Sequence, residues 1–218
     1  MSVRIRFATD FVCPYCIAAR ETLLAAIGER EDVELEILPF ELTPPGRERV
    51  DTYHDPVRRE KYRNGLQPFC EKLGLAVRLP PKVIPRPYTR SAWEGYFFAK
   101  EWGLGERWCG LMYEAYFVRE LDIGSIEVLT TLAEELGLDG TAFCAALEEH
   151  RYSKTVSAAV EETRALGVTA VPTIRIGSLR LAGELYTKED FAFYLSAAEQ
   201  GFDAPAPEGQ LACGPDGC

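Results

Sequence analysis

The chain has 218 residues, 47% of them apolar, and a net charge of −10 at pH 7. That is room for one full domain, or a small domain carrying an insertion, around a sizeable core. The acidic balance argues against a nucleic-acid partner, because neutralising phosphates needs a basic face, and no run approaches the ~18 apolar residues of a membrane-spanning helix.

Val3, Ile5 and Phe7 alternate with Arg4 and Arg6, the period-two signature of a strand. After a loop from Asp10 to Cys13, Pro14 suits the first position of a helix, where its missing N–H costs nothing. That helix is expected to run to about Gly28, with Ile17, Leu23, Leu24 and Ile27 on one side. Val33, Leu35 and Ile37 alternate with Glu34 and Glu36 in a second strand that ends at Pro39. The result is a β–α–β unit with a cysteine pair, Cys13 and Cys16, at the strand-to-helix turn.

From Thr43 to His150 the pattern is helical, with candidate helices Asp55–Leu73, Tyr88–Trp102, Glu106–Leu121, Ser125–Leu136 and Thr141–His150 between Gly and Pro stops. Their rings, among them Trp93, Tyr96, Trp108, Tyr113, Tyr116 and Phe117, are expected to form the core of a helical subdomain. A further helix buries Val156, Val160 and Thr163 and stops at Gly167. A hairpin follows, Thr173–Ile176 and Leu179–Ala182, joined by Gly177-Ser178, a dipeptide that favours a type II′ turn. A last helix spans Lys188–Ala198, and the Gly-, Pro- and Ala-rich remainder reads as a flexible tail. The domain division expected is 1–42 with 151–198, a helical insertion 43–150, and a tail 199–218.

A nucleophilic thiol must ionise near neutral pH, and a helix N-terminus helps through its unpaired N–H groups and dipole. Cys13 occupies that place, so it is the expected attacking sulfur. Cys16, one turn on, is the expected resolving one. A C-x-x-C is also half of many zinc sites, but the usual second pair of ligands is missing from the rest of the sequence. Cys70, Cys109 and Cys144 sit singly in helical segments and read as buried structural thiols; His54 and His150 read as surface residues. An odd total of seven cysteines over so long a chain does not resemble a secreted disulfide framework. With no charged and apolar leader pattern before the first strand, a cytoplasmic protein is expected.

The tail places Gly-Pro-Asp-Gly between Cys213 and Cys218, a turn that can bring two Cα atoms within the roughly 4.4–6.8 Å a disulfide requires. A linker of about 14 flexible residues has an end-to-end distance near ~20 Å, so this pair is expected to reach the first one as a second redox pair, or else to be a terminal clip or an adventitious metal-binding tail. Across the sheet, at least one of Arg4, Arg6, Arg175 and Arg180 is expected to pair with Glu34 or Glu36, since Arg175 and Arg180 face each other in the hairpin and need interleaved acids.

Three segments together, Asp10-Phe11-Val12-Cys13-Pro14-Tyr15-Cys16, Pro39-Phe40-Glu41-Leu42 and Gly167-Val168-Thr169-Ala170-Val171-Pro172-Thr173, resemble the DsbA family, particularly its FrnE-like branch. The resemblance implies an α/β thioredoxin-like fold with a four-stranded mixed sheet, split by an all-helical insertion. It implies thiol–disulfide oxidoreductase or isomerase activity through Cys13 and Cys16 on proteins or small molecules, with no dissociable cofactor and with glutathione or a thioredoxin-like protein as the thiol partner. It also implies a cis bond at Val171-Pro172, which pattern alone reads as trans. In that arrangement the exposed Val171 backbone pairs with an extended substrate. Asp10 is expected either to cap the loop or to relay a proton from Cys16. Relatives that use glutathione, the kappa-class transferases and 2-hydroxychromene-2-carboxylate isomerases, typically carry serine at the Cys13 position. A glutathione-dependent transferase or isomerase, and a non-catalytic zinc-binding or redox-sensing module, are the alternatives.

Overall fold

Strand β1 (Val3–Thr9) buries Val3, Ile5 and Phe7 and leaves Arg4 exposed and Arg6 half-buried, then buries both faces at Ala8 and Thr9. The computed structural model that shows this describes residues 2–201, 213 and 214. β1 is the hub of a four-stranded sheet ordered β2-β1-β3-β4. β2 (Val33–Pro39) runs parallel to it, and β3 (Thr173–Ile176) and β4 (Leu179–Ala182) are antiparallel to their neighbours. This is the thioredoxin-like arrangement.

Helix α1 (Pro14–Ile27) connects β1 to β2 and packs against α9 (Lys188–Glu199). Between β2 and α8 (Ser153–Ala165) stand α2 (Pro56–Lys61), α3 (Gln67–Lys72), α4 (Arg90–Glu101), α5 (Gly105–Phe117), α6 (Ile126–Glu135) and α7 (Gly140–Glu148). The single helix expected over Asp55–Leu73 is instead two short helices joined by a π-helical turn at Tyr62–Leu66. Pro68 is the reason: it has no N–H for a helical bond, and its ring crowds the preceding turn, which widens to admit it. The helix expected to reach Leu121 stops at Phe117, where Arg119 N–H turns back to the Glu114 carbonyl at 3.0 Å.

The hairpin turn has the expected form, with Gly177 at φ 60° at its first central position and Ser178 outside the positive-φ region. Arg4 reaches Glu34 at 3.3 Å and Arg6 reaches Glu36 at 2.9 Å, because parallel register sets each arginine beside its glutamate.

The buried rings do more than fill the helical region. Phe11, in the loop after β1, lies with its ring centroid 4.0 Å from that of Trp93 on α4. Trp93 Nε1–H donates to the Phe40 carbonyl at 3.2 Å, and the hydroxyls of Tyr113 and Thr9 are hydrogen-bonded. Aromatics from α4 and α5 thereby fix the ends of β1 and β2, where the cysteine pair sits. Trp102, at the end of α4, stands outside this aromatic core and is 68% exposed. Cys70 and Cys109 are buried free thiols and Cys144 is half-buried. His54 and His150 are exposed, paired with Asp51 at 2.8 Å and Glu94 at 3.4 Å.

Candidate active site

The loop leaving β1 is closed by the Cys13 N–H, which donates to the Asp10 carbonyl at 3.0 Å. Cys13 itself is the N-cap of α1, extended at φ −88° and ψ 115°, and Pro14 takes the first helical position. Cys16 N–H donates to the Cys13 carbonyl at 3.1 Å, so the two thiols are one turn apart at the helix start. Both are free.

Cys16 has no exposed surface, and burial, reinforced by Cys13, pushes its thiol well above the usual range. A thiol so placed stays protonated until its partner has reacted, the behaviour of a resolving cysteine. Cys13 is also fully buried, although a sulfur that attacks outside disulfides needs access to them. The side of the site formed by the Val171 loop accounts for this. Val171–Pro172 is a cis peptide, and the Cys13 Sγ–H donates to the Val171 carbonyl at 3.6 Å.

Val171 is not available in the way the sequence suggests. It is fully buried, and both its backbone groups are taken: its N–H donates to the Cys213 carbonyl at 2.8 Å, and its carbonyl accepts the Cys213 N–H at 2.6 Å. Cys213 is itself fully buried and is disulfide-bonded. The tail therefore reaches the site through Cys213, while Cys218 lies outside the described residues. The linker length anticipated that the tail could reach the site; its backbone pairing with Val171 had no local signal.

Asp10 is a buried cap. Its carbonyl holds Cys13, its Oδ2 accepts the Leu42 N–H at 2.7 Å, and it has no exposed surface. Burial raises its carboxyl to about 6, against the opposing pull of the Leu42 amide and the Arg86 charge. The sequence reading missed Arg86. It is 4% exposed, donates through Nη2 to Thr43 Oγ1 at 2.9 Å, and leaves Nε without a partner. With Val12, Pro14, Tyr62 and Tyr116 it lines a small cavity of about 10 Å³ beside the start of α1. Pro85 and Pro87 on either side marked a rigid loop, and nothing local marked its arginine as buried. Also missed was the pairing of Glu41, buried after β2, with Arg90 on α4 through two contacts of 2.9 and 2.7 Å. Among the described residues no group of three or more His, Cys, Asp or Glu is placed to hold a metal ion.

The sequence model of the DSBA-like thioredoxin domain matches residues 4–188, from β1 into the start of α9. The chain belongs to that family. As a DSBA-like protein it is 39% identical over 184 residues to the uncharacterized protein YwbO of Bacillus subtilis, covering 84% of this chain and 91% of YwbO. A probable DsbA oxidoreductase from Streptomyces coelicolor superposes with a TM-score of 0.74 at 25% identity, over 99% of this chain and 98% of that one. The cytosolic disulfide reductase DsbM from Pseudomonas aeruginosa, solved with GSH, superposes with a TM-score of 0.66 at 18% identity, over 90% and 99% of the two chains. The DSBA-like family is one of oxidoreductases and isomerases, and in this chain the cysteine pair lies at the β1–α1 turn.

Proposed function

We propose that the protein is a cytoplasmic thiol–disulfide oxidoreductase that exchanges disulfides of proteins or small molecules through Cys13 and Cys16. The observation that carries the reading is the position of Cys13: N-cap of α1, with Cys16 one turn behind it and the Val171 carbonyl 3.6 Å from its sulfur. In the reducing direction the Cys13 thiolate attacks one sulfur of a substrate disulfide, and the other leaves as a thiolate. Cys16 then gives up its proton and attacks Cys13, releasing the substrate's second thiol. Two electrons pass to the substrate, and the pair is left as a disulfide for a thiol reductant such as glutathione to reset. The name of DsbM, a cytosolic reductase solved with GSH, supports both the compartment and the reductant by analogy of fold.

Val171 and Pro172 orient the substrate in this scheme, and Asp10 holds the loop through Cys13 and Leu42. Cys213 and Cys218 act as a second redox pair; the contact of Cys213 with Val171, next to Cys13, supports that role. The test compares reduction of insulin disulfides with refolding of a scrambled disulfide protein, using Cys13→Ser as the control. Activity in either assay that is lost in Cys13→Ser is the expected result. Activity only toward glutathione conjugation or cis–trans isomerisation of a small substrate would replace this reading with the glutathione-dependent one.

A further inference from the structure

A nucleophile that serves outside substrates is expected to have a path to them, yet Cys13 has no exposed surface. The chain's own tail lies against Val171, whose carbonyl is 3.6 Å from the Cys13 sulfur. Val171 and Cys213 exchange two backbone hydrogen bonds, the pattern of a one-rung antiparallel strand pair. These are the same N–H and carbonyl that an extended peptide would use if it added to this edge. Gly214 continues the contact, its side-chain position facing the Thr169 carbonyl at 3.7 Å.

We propose that the strand at Cys213 is a self-docked strap, and that an outside peptide gains Cys13 only when the strap leaves Val171. This rests on Val171 being the peptide-docking edge and goes beyond the redox role of the tail, because it needs the tail's backbone and not its thiols. The strap is covalently attached to α9, whose last residue, Glu199, is ion-paired with Arg30. Attachment makes its return intramolecular, and tethered segments compete at effective concentrations that reach the mM range. One backbone rung and the buried Cys213 side chain hold it among the described residues, a contact that a longer added strand can displace. The protein therefore favours substrates that bind well enough to win the edge, and a weakly binding disulfide is kept off Cys13. An open fraction of about one tenth lowers the apparent affinity of every outside peptide about tenfold.

The experiment separates strap from thiols. A Cys213→Ser/Cys218→Ser variant keeps the strap and removes its sulfurs; truncation after Leu211 removes both. With Cys13 reduced, its alkylation by iodoacetamide is followed by peptide mass, together with hydrogen exchange of the Val171 amide. The truncated chain is expected to alkylate roughly tenfold faster than the serine variant and to lose protection at Val171. Cys213→Pro, placed in the Cys218→Ser background, keeps the chain length but removes the N–H that bonds the Val171 carbonyl, and it is expected to behave like the truncation. Equal alkylation rates in the serine variant and the truncated chain overturn the strap. Neither readout needs turnover, so a failure of the proposed activity would appear separately, in the insulin assay.

Discussion

The Asp10 carboxylate accepts the Leu42 N–H through Oδ2 at 2.7 Å while its Oδ1, equally buried, has no hydrogen-bond partner. One good bond does not offset full burial, so the carboxyl is raised from 3.8 to about 6. The folded state therefore binds the proton more tightly than the unfolded one. The stability this contributes is fully present below about pH 3.8 and is lost as pH rises through about 6. At roughly two units the loss is on the order of 3 kcal/mol. Asp10→Asn keeps an acceptor for Leu42 without the charge. It is expected to raise stability at pH 7.5 by about 1–3 kcal/mol and to remove the decline between pH 4 and 6, both read by urea unfolding of the reduced protein. An unchanged pH profile would show that Asp10 does not titrate in this range.

Glu41 is the second buried acid next to the site, and it is treated differently. Both its oxygens meet Arg90, which also donates to Ser157 Oγ at 2.8 Å and to the Ser153 carbonyl. This knot joins the loop after β2 to α4 and α8. Removing one partner leaves a charge in a place with 1% side-chain exposure. Arg90→Met is expected to cost about 3–5 kcal/mol, and the double variant Glu41→Leu/Arg90→Met less than that. A double variant as unstable as Arg90→Met would mean that packing, not the orphaned carboxylate, sets the cost.

Much of the fold was legible because its signals are local. The alternation at Val3, Ile5 and Phe7 and at Val33, Leu35 and Ile37 follows from one face of the sheet being the more deeply buried, and the Arg4–Glu34 and Arg6–Glu36 pairs follow once those strands lie parallel. Cys13 at a helix start could be read from Pro14. The enclosure of Cys13 could not, because it depends on Val171 and Cys213, which are far off in the chain and set by how β3 and the tail return to the site. Arg86 escaped for a related reason. An arginine between two prolines looks like surface until Thr43 and Asp10 arrive from the segments that follow β2 and β1. The widened turn at Tyr62–Leu66 was legible in principle from Pro68, whose effect was overlooked within an otherwise continuous helical pattern.

One row of the sheet carries a charge imbalance. Arg175 faces Arg180 across the hairpin and Arg6 on its other side, and of the four residues in the row only Glu36 is acidic. Glu36 is committed to Arg6, and Arg175 turns its Nη2 to the Leu166 carbonyl. Like charges directly opposite destabilise a sheet. Arg180→Glu is expected to raise stability by about 0.5 kcal/mol in low salt, with the gain shrinking in 1 M salt as screening shortens the reach of the pair. A gain that ignored salt would point to packing rather than charge.

The most informative variant is Cys16→Ser, because it stops exchange halfway. Cys13 of the dithiol form lies beside Val171, and Cys213, held against the same residue, carries a disulfide. Attack by the Cys13 thiolate on the Cys213 sulfur forms a Cys13–Cys213 bond, breaks the existing one, and leaves a thiolate on the cysteine that was bonded to Cys213. In the unsubstituted chain Cys16 then attacks Cys13, frees Cys213, and the two electrons of the first pair have moved to the tail. Without Cys16 the sequence halts at the mixed disulfide. Cys16→Ser, kept free of outside disulfides, is expected to accumulate a monomeric species in which a Cys13 peptide is linked to a Cys213 peptide, and Cys13→Ser none of it. Non-reducing digestion and mass measurement read the linkage directly. If Cys16→Ser instead stays unlinked until an outside disulfide is added, the tail pair does not exchange with the first one.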